Sequence, residues 1–103
     1  MASNPNPKLY YVYIMSNNAG IIYVGMSNDL ARRVKEHKGG IGSVFSLQNH
    51  THKLVYYEEF QYVEDAINRE KQIKSWRKQK KRALIREQNP RWGDLSQGWF
   101  EES

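Results

Sequence analysis

The sequence predicts an α/β (α+β) domain in which a small three-stranded antiparallel sheet is flanked by helices. Two runs rich in tyrosine and β-branched residues, 9–15 and 21–26, flank a polar segment typical of a tight turn, which indicates a β-hairpin. The run KLVYYEEF at 53–60 alternates like a third strand. Alternation places on one face of that strand Leu54, Tyr56 and Glu58. Amphipathic stretches predict the helices, and the strands lie in chain order or in a permutation of it.

Length and composition restrict the kind of protein. A chain of 103 residues provides one modest core and one domain, expected over 8–88, with a flexible polar leader at 1–7 and an aromatic tail at 89–103. The absence of cysteine excludes disulfides and thiolate metal sites. No apolar run approaches the ~20 residues of a membrane span, and the start MASNPNPK lacks an apolar signal region, so we expect a soluble cytoplasmic protein. A net charge of +5 favours a polyanionic partner.

The first helix is expected over 29–38. A Ser-Asn-Asp cluster suitable for helix capping precedes it, and a group of glycines ends it. The helical period places Leu30, Val34 and His37 on the inner face, with Arg33 at the edge of that face. An imidazole and a guanidinium one turn apart therefore lie beside the predicted hairpin.

A second helix is expected over 63–78, and a third helical stretch over 80–88 ends before an Asn-Pro pair. The apolar stripe of the second helix contains Val63, Ala66, Ile67, Ile73 and Trp76. At roughly 100° per residue, Glu70 falls inside this stripe. A carboxylate among core-facing residues is costly unless another group satisfies it, so Glu70 is a candidate functional residue.

The order of these residues resembles the GIY-YIG nuclease family. The first family triplet corresponds to YVY at 11–13 and the second to YVG at 23–25, whereas the literal string GIIYVG is a coincidence of letters. Arg33 and His37 fit the helix after the second triplet, and Glu70 fits the position of the family's metal-binding glutamate. The resemblance covers nearly the whole chain and is strongest to the short stand-alone bacterial branch, whose members are little more than this domain.

The resemblance implies one-metal phosphodiester hydrolysis, and the candidate catalytic residues divide among its roles. Glu70 is expected to bind one Mg²⁺ or Mn²⁺ ion. Arg33 is expected to clamp the phosphate through its planar fork. Tyr13, relayed by His37, is expected to orient or deprotonate the attacking water, and Tyr23 to hydrogen-bond the phosphate or the water. A phenol needs a nearby cation to act as a base, because its ordinary pKa is near 10.

Each of these residues also has a purely structural interpretation. Tyr13 and Tyr23 suit cross-strand packing, which is common for tyrosine in strands. Arg33 suits a solvated helix charge, and His37 suits a cation at a helix C-terminus. Glu70 also suits a buried ion pair with Arg33, without any metal. The joint occurrence of all five in the family order favours a shared site.

A basic run in the second half of the chain predicts contact with a nucleic-acid backbone, most simply that of DNA. Half of the sixteen lysines and arginines belong to it: Lys71, Lys74, Arg77, Lys78, Lys80, Lys81, Arg82 and Arg86. Binding through such a surface is strongly salt-dependent and largely independent of sequence. The alternative is a solvated helix face. Trp76 lies within the run but on the apolar stripe, so we expect it in the core.

The segment 41–52 lacks a clear period and is expected to be a loop. It contains His50 and His52, but two histidines without a third ligand nearby favour polar loop residues over a metal site. The loop also departs from the family pattern. Close relatives carry a lysine where this chain reads FSLQNH at 45–50, and either histidine is a candidate for its role.

The sequence therefore predicts a GIY-YIG-type metal-dependent DNA endonuclease or nuclease-like protein, with DNA repair and recombination as candidate settings. One alternative is a nucleic-acid-binding module with a vestigial site. Another is a protein-interaction domain whose aromatic tail and basic helices dock an acidic partner. Within the predicted domain no separate recognition module is visible, so we expect sequence-specific cutting only if a protein partner supplies it.

Overall fold

The computed structural model describes residues 8–39 and 49–100. The expected leader and most of the expected loop, including the FSLQ segment that departs from the family pattern, lie outside the described residues. Within the described ranges the strands are β1 (Tyr10–Ser16), β2 (Ile22–Ser27) and β3 (Lys53–Phe60). The helices with described bounds are α1 (Leu30–Lys38), α2 (Val63–Ser75) and α3 (Lys78–Gln88). None of these helices is both long and apolar enough to cross a bilayer.

The central strand of the sheet is β1. It pairs antiparallel with β2 on one side and with β3 on the other, so the described strands have the order β2-β1-β3. The predicted fold class is confirmed, and the strand order is a permutation of the chain order. The residues from Val12 to Ser16 are all buried, as expected for a central strand covered on both faces.

Helices cover both faces of the sheet, as predicted. The α1 face contains a buried cluster of Tyr13, Met15, Leu30, Val34 and Leu54. The α2/α3 face contains a buried cluster of Val12, Ile14, Val24, Val55, Tyr56, Ala66, Ile73 and Ile85. Each large side chain removed from water in this way contributes roughly 1.5–3 kcal/mol to folding. The sheet is therefore held between two cores, and the candidate site residues of β1 and α1 belong to one of them.

The first helix forms as the sequence predicts. The Asp29 carboxylate caps it by accepting a hydrogen bond from the backbone N–H of Arg32 at 3.2 Å. Its buried residues are the three predicted for the inner face, Leu30, Val34 and His37. This packing fixes the His37 imidazole against the sheet.

A β-bulge in β3 changes which residues share a face. The register pairs Ile14 with Tyr56 but Met15 with Leu54, so Val55 is an extra residue opposite β1. Leu54 therefore packs on the α1 face, whereas Tyr56 packs on the α2/α3 face. The prediction that Leu54, Tyr56 and Glu58 share one face is wrong, because strict alternation holds only on either side of the bulge.

The second predicted helix is shorter than expected. It ends at Ser75, since Trp76 and Arg77 are extended, with φ/ψ of −74°/154° and −66°/155°. The next helix begins at Lys78 rather than at Lys80. The bend redirects the chain so that Ile85 of α3 is buried on the same face as α2. Trp76 stabilises it by packing against that core.

An ion pair anchors α2 to β3 and so positions the neighbouring Glu70. The Arg69 guanidinium donates three hydrogen bonds of 2.8–3.2 Å to the carboxylate of Glu58. The Tyr56 hydroxyl donates a short hydrogen bond to the same carboxylate. Burial alone would raise the pKa of Glu58, but these hydrogen bonds outweigh it and hold that pKa below its ordinary value.

The chain after α3 returns to β3 and α1. The buried amide of Asn89 donates a hydrogen bond to the carbonyl of Val55 at 3.1 Å. The Asp94 carboxylate accepts hydrogen bonds from Lys38 Nζ at 2.5 Å and from the backbone N–H of Leu54 at 3.1 Å. Phe100 packs against the cluster of the α1 face. The segment 89–100 is thus tied to β3 and, through Lys38, to the end of α1 that carries His37.

Candidate active site

The first candidate side chain, Tyr13, lies across the edge strand β2. In the register of the hairpin its cross-strand neighbour is Gly25. A Cβ atom built on Gly25 would lie 2.6 Å from both Cζ and Oη of Tyr13, far closer than van der Waals contact permits. The absence of a side chain at Gly25 therefore gives the phenol its path over β2.

Beyond Gly25 the phenol meets α1. The Tyr13 hydroxyl lies 3.1 Å from Nε2 of His37, a buried hydrogen bond between residues 24 positions apart. The Tyr23 ring closes the group, with centroid distances of 6.2 Å to Tyr13 and 5.0 Å to His37. Tyr13 and His37 are buried, whereas Tyr23 is half-buried. The two phenols and the imidazole form one cluster, with Tyr23 on its outer side.

Burial sets the protonation states of this cluster. It raises the pKa of the Tyr13 hydroxyl above its ordinary value, and interaction with Tyr23 raises it further, while the positive charge of Arg33 acts in the opposite sense. Burial, reinforced by Arg33, lowers the pKa of His37 to about 4. At neutral pH Tyr13 is thus a neutral phenol and His37 a neutral imidazole. The interpretation of His37 as a helix C-terminal cation is wrong for this reason.

The Arg33 side chain is only loosely held. Its Nη1 lies 3.5 Å from a carboxylate oxygen of Glu36, at the long limit of a hydrogen bond, and its buried Nε has no hydrogen-bond partner among the described residues. The side chain remains 36% exposed. A planar guanidinium with weak internal partners is available to bind an oxyanion such as a phosphate through two parallel hydrogen bonds.

The Glu70 carboxylate is half buried on α2, with 21% of the side chain exposed. It pairs with Lys74 one turn later at 3.3 Å, while Arg33 pairs with Glu36. The alternative of an ion pair between Glu70 and Arg33 is therefore not what the structure forms. The charge of Glu70 raises the pKa of the Tyr13 hydroxyl, so Glu70 lies within electrostatic reach of that group.

The structure thus brings the sequence-predicted catalytic residues together from β1, β2, α1 and α2. Sequence reasoning placed Glu36 in the helix that fits the family and Gly25 in the second triplet, but it assigned neither residue a role at the site. Glu36 is the acidic partner of Arg33, and an i,i+3 search for opposite charges on the helix would have found it. The steric role of Gly25 depends on the register of the hairpin, which places it opposite a tyrosine.

The donor set for a metal consists of isolated carboxylates. In the described ranges no group of three or more histidine, aspartate or glutamate residues is arranged to hold a metal ion. Nδ1 of His52 lies 2.8 Å from the backbone carbonyl of His50, so this pair interacts within its own segment. Any metal at Glu70 would take most of its ligands from water and substrate.

The basic run extends over an exposed helix surface, a groove and a cleft, and Lys78 belongs to the first two. The exposed surface includes Lys71, Lys74, Arg77, Lys78 and Lys80. Lys74 pairs with Glu70, and Nζ of Lys80 lies 4.3 Å from the centre of the Trp76 ring. Lys78 and Lys81 line a groove with Ile21 and Ile22 at the start of β2. Arg82 and Arg86 line a separate cleft beside the hairpin turn. Lys78 and Lys81 therefore lie beside the start of β2, and Arg82 and Arg86 lie beside the turn that precedes it.

Comparison with known proteins identifies the family of this chain. The model of the GIY-YIG catalytic domain matches residues 9–83. A UPF0213 protein of Staphylococcus saprophyticus is 35% identical over 78 residues, which cover 76% of this chain and 95% of that protein. A UPF0213 protein of Haloquadratum walsbyi is 36% identical over 78 residues, covering 76% of this chain and 88% of its own length.

A solved structure is also similar. The solution NMR structure of a UPF0213 protein of Bacillus halodurans is 26% identical, with a TM-score of 0.56, and the match covers 90% of this chain and 99% of that one. The family model matches residues 9–83, a range that contains all three strands that the structure describes. This chain belongs to the GIY-YIG family and to its UPF0213 members.

Proposed function

We propose that the protein is a metal-dependent nuclease that hydrolyses phosphodiester bonds of nucleic acid, with DNA as the expected substrate. The observation that carries the proposal is the hydrogen bond between Tyr13 and His37 within a cluster in which Tyr23, Arg33 and Glu70 all influence the Tyr13 hydroxyl. Membership of the GIY-YIG family supports a nuclease-like function. The exposed cations beside β2 support a polyanionic substrate.

In the proposed reaction a water oxygen forms a bond to phosphorus and the bond to the leaving oxygen breaks. The water proton passes through the Tyr13 hydroxyl to Nε2 of His37, and the leaving oxygen takes its proton from solvent. Tyr23, on the outer side of the cluster, orients the water. Arg33 donates to the non-bridging phosphate oxygens, where charge develops in the transition state.

The electrostatics of the cluster give His37 a way to become a stronger base when substrate binds. Arg33 is one cause of the low pKa of His37. A phosphate bound to Arg33 offsets that positive charge and so raises the pKa of the imidazole. The same phosphate replaces the weak contact between Arg33 and Glu36 with a stronger charge-assisted one. Proton acceptance is thereby coupled to substrate binding.

Glu70 fits the requirements of a single Mg²⁺ or Mn²⁺ ion. Its carboxylate is half buried, and its nearest partner is Lys74, a flexible and largely exposed side chain. A hard cation of this type keeps several waters and takes further ligands from phosphate, so one protein carboxylate suffices. Such an ion, when bound, would stabilise the charge that develops on the phosphate.

The test compares the unsubstituted protein with Glu70→Gln and with Glu64→Gln, an exposed carboxylate on the same helix. Each protein is incubated with supercoiled, linear and branched DNA and with RNA, in Mg²⁺, in Mn²⁺ and in chelator. We expect metal-dependent cutting by the unsubstituted protein and by Glu64→Gln, and none by Glu70→Gln. Binding measured in chelator should be retained by all three.

Two other outcomes identify the alternatives. Salt-sensitive binding without cutting by any of the three proteins would identify a nucleic-acid-binding module, which the exposed cations alone are sufficient to explain. A lack of affinity for nucleic acid even at ~50 mM salt, where phosphate contacts are strongest, would favour a protein-interaction domain.

A further inference from the structure

A cleft of about 350 Å³ lies at the turn of the β1–β2 hairpin, on the side of the sheet away from α1. Residues 17–20 form one wall, and Lys53, Arg82, Arg86 and Trp92 complete it. We propose that this hairpin cleft binds a backbone phosphate of the nucleic-acid strand, a few nucleotides from the phosphate that is cut. The inference rests on the proposed function and extends it to a second phosphate site.

The charge of the hairpin cleft is of one sign. Three of its lining side chains are cationic, and none of the described residues that line it is acidic. Lys53 begins β3, whereas Arg82 and Arg86 are one turn apart on α3, so three cations converge from two separate elements. Because like charges repel, holding three cations in one cleft raises the electrostatic energy of the protein. An anionic ligand in the cleft lowers that energy.

The Arg82 guanidinium is held in place rather than free in solvent. Its Nη2 donates to the carbonyl of Gly20 at 3.2 Å, and the guanidinium carbon lies 5.9 Å from the centre of the Trp92 ring. Its buried Nε has no hydrogen-bond partner among the described residues. An arginine oriented in this way presents a preformed fork to a phosphate.

Two backbone conformations around the cleft are unusual. Trp92 has φ of 55°, a left-handed conformation that is costly for a bulky residue. Asn89 imposes it, since the Asn89 carbonyl accepts from the N–H of Trp92 at 3.0 Å and its side-chain oxygen accepts from Gly93 at 3.1 Å. Gly20, with φ of 81°, occupies the same region at the turn. Gly20 and Trp92, cleft residues with left-handed φ, are also the residues that hold the Arg82 guanidinium.

The cleft lies on the same edge of the sheet as the candidate active site. Gly20 precedes Tyr23 by three residues, which corresponds to ~10 Å along an extended chain. Lys78 and Lys81 line the groove beside Ile21 and Ile22, between the two places. A strand of nucleic acid that runs from the cleft along the start of β2 would therefore meet Lys78 and Lys81 next.

The experiment measures the salt dependence of binding to labelled single-stranded and duplex DNA in chelator. The variants are Lys53→Ala and Arg86→Ala, with Arg32→Ala as the control, because Arg32 is an exposed cation at the opposite end of the sheet. Each cleft variant should reduce the slope of log K against log salt and weaken binding about threefold or more at ~50 mM salt. Because the cleft holds one phosphate, the double variant Lys53→Ala/Arg86→Ala should reduce the slope by at most about 0.9 for duplex and about 0.7 for single strands. Arg32→Ala should change neither.

A fourth variant, Arg82→Lys, separates a built site from diffuse charge. It keeps the positive charge but loses the fork held by Gly20 and Trp92, so we expect lower affinity with a nearly unchanged slope. Its thermal stability is measured beside it, and Lys53→Ala and Arg86→Ala provide the answer if Arg82→Lys does not fold. Unchanged affinity in a folded Arg82→Lys protein would overturn the built site.

The remaining outcomes distinguish the cleft from the nuclease proposal. If the slopes of Lys53→Ala and Arg86→Ala equal that of the unsubstituted protein while metal-dependent cutting is present, the cleft proposal fails and the proposed function stands. If inorganic phosphate shifts the indole NMR signal of Trp92 but the DNA slopes do not change, the cleft binds free phosphate and the proposal also fails. If the unsubstituted protein binds no nucleic acid at ~50 mM salt, both fail.

Discussion

Replacing Gly25 with alanine tests the geometry on which the candidate site depends. Gly25 has no left-handed φ, so its backbone conformation is open to any residue. The reason for glycine is instead steric, because an added Cβ would lie 2.6 Å from Cζ and Oη of Tyr13 and 2.8 Å from Cε1. The ring, which is 1% exposed, has little free space into which it can move.

The size of the effect follows from these distances. Carbon atoms in van der Waals contact lie about 3.5–4.0 Å apart, so the Tyr13 ring has to shift by roughly 1 Å. Overpacking of this kind typically costs about 1–3 kcal/mol, which lowers the melting temperature of a domain of this size by about 5–20 °C. The shift also breaks the 3.1 Å contact with His37. A misplacement of about 1 Å at a catalytic group costs on the order of 100-fold in rate.

The assay combines thermal unfolding with the cutting rate at a temperature where both proteins are folded. Gly39→Ala is the matched control, because its nearest atom would lie 3.5 Å from the added Cβ and its φ is −82°. We expect Gly39→Ala to behave like the unsubstituted protein in both measurements. A Gly25→Ala protein with unchanged melting temperature and unchanged cutting would refute the steric argument.

Two further predictions concern pH, and both are checked by chemical denaturation across the acid range. Because His37 has a pKa of about 4 in the folded protein against 6.5 in its ordinary state, the unfolded chain binds the extra proton first, and stability falls between about pH 6.5 and pH 4. His37→Gln should remove this loss, which is about 3 kcal/mol; an identical pH profile in the variant would contradict the low pKa. Asp94 has a folded pKa below its ordinary value, since hydrogen bonds from Lys38, Ser96 and Leu54 outweigh its burial. Asp94→Asn should cost about 1–2 kcal/mol at pH 7, and the difference should vanish as the pH falls through the folded pKa, with earlier proteolysis of the segment 89–100.

Much of the fold can be predicted from local sequence patterns. The bounds of β3 and the inner face of α1 follow from periodicity, and the cap at Asp29 follows from its chemistry. The bulge at Val55 does not, because it is visible only when β3 is paired with β1. The bend at Trp76 was not predictable either, because no glycine or proline marks the end of the helix there. Packing of the Trp76 indole and of α3 against the core determines the bend.

The sequence suggested that the candidate residues lie near one another, but it did not predict their electrostatics. The positions of Tyr13, Arg33 and Glu70 in the chain suggested a common location, and the charges of both ionic residues do act on the Tyr13 hydroxyl. The neutral state of His37 depends on how deeply α1 buries it, and the pairing of Glu70 with Lys74 depends on side-chain geometry. Such properties arise from tertiary packing and are not encoded in spacing alone.

The return of the chain after α3 has a consequence for self-association. An edge strand offers unpaired backbone groups to other chains and invites aggregation. At the outer edge of β3, the N–H and the carbonyl of Leu54 are both occupied, the first by Asp94 and the second by the N–H of Leu95 at 2.7 Å. The other edge, β2, is bordered by Lys78 and Lys81, whose charges oppose the approach of a second sheet. The charges that would attract a nucleic acid would thus also disfavour pairing of two copies of this sheet through β2.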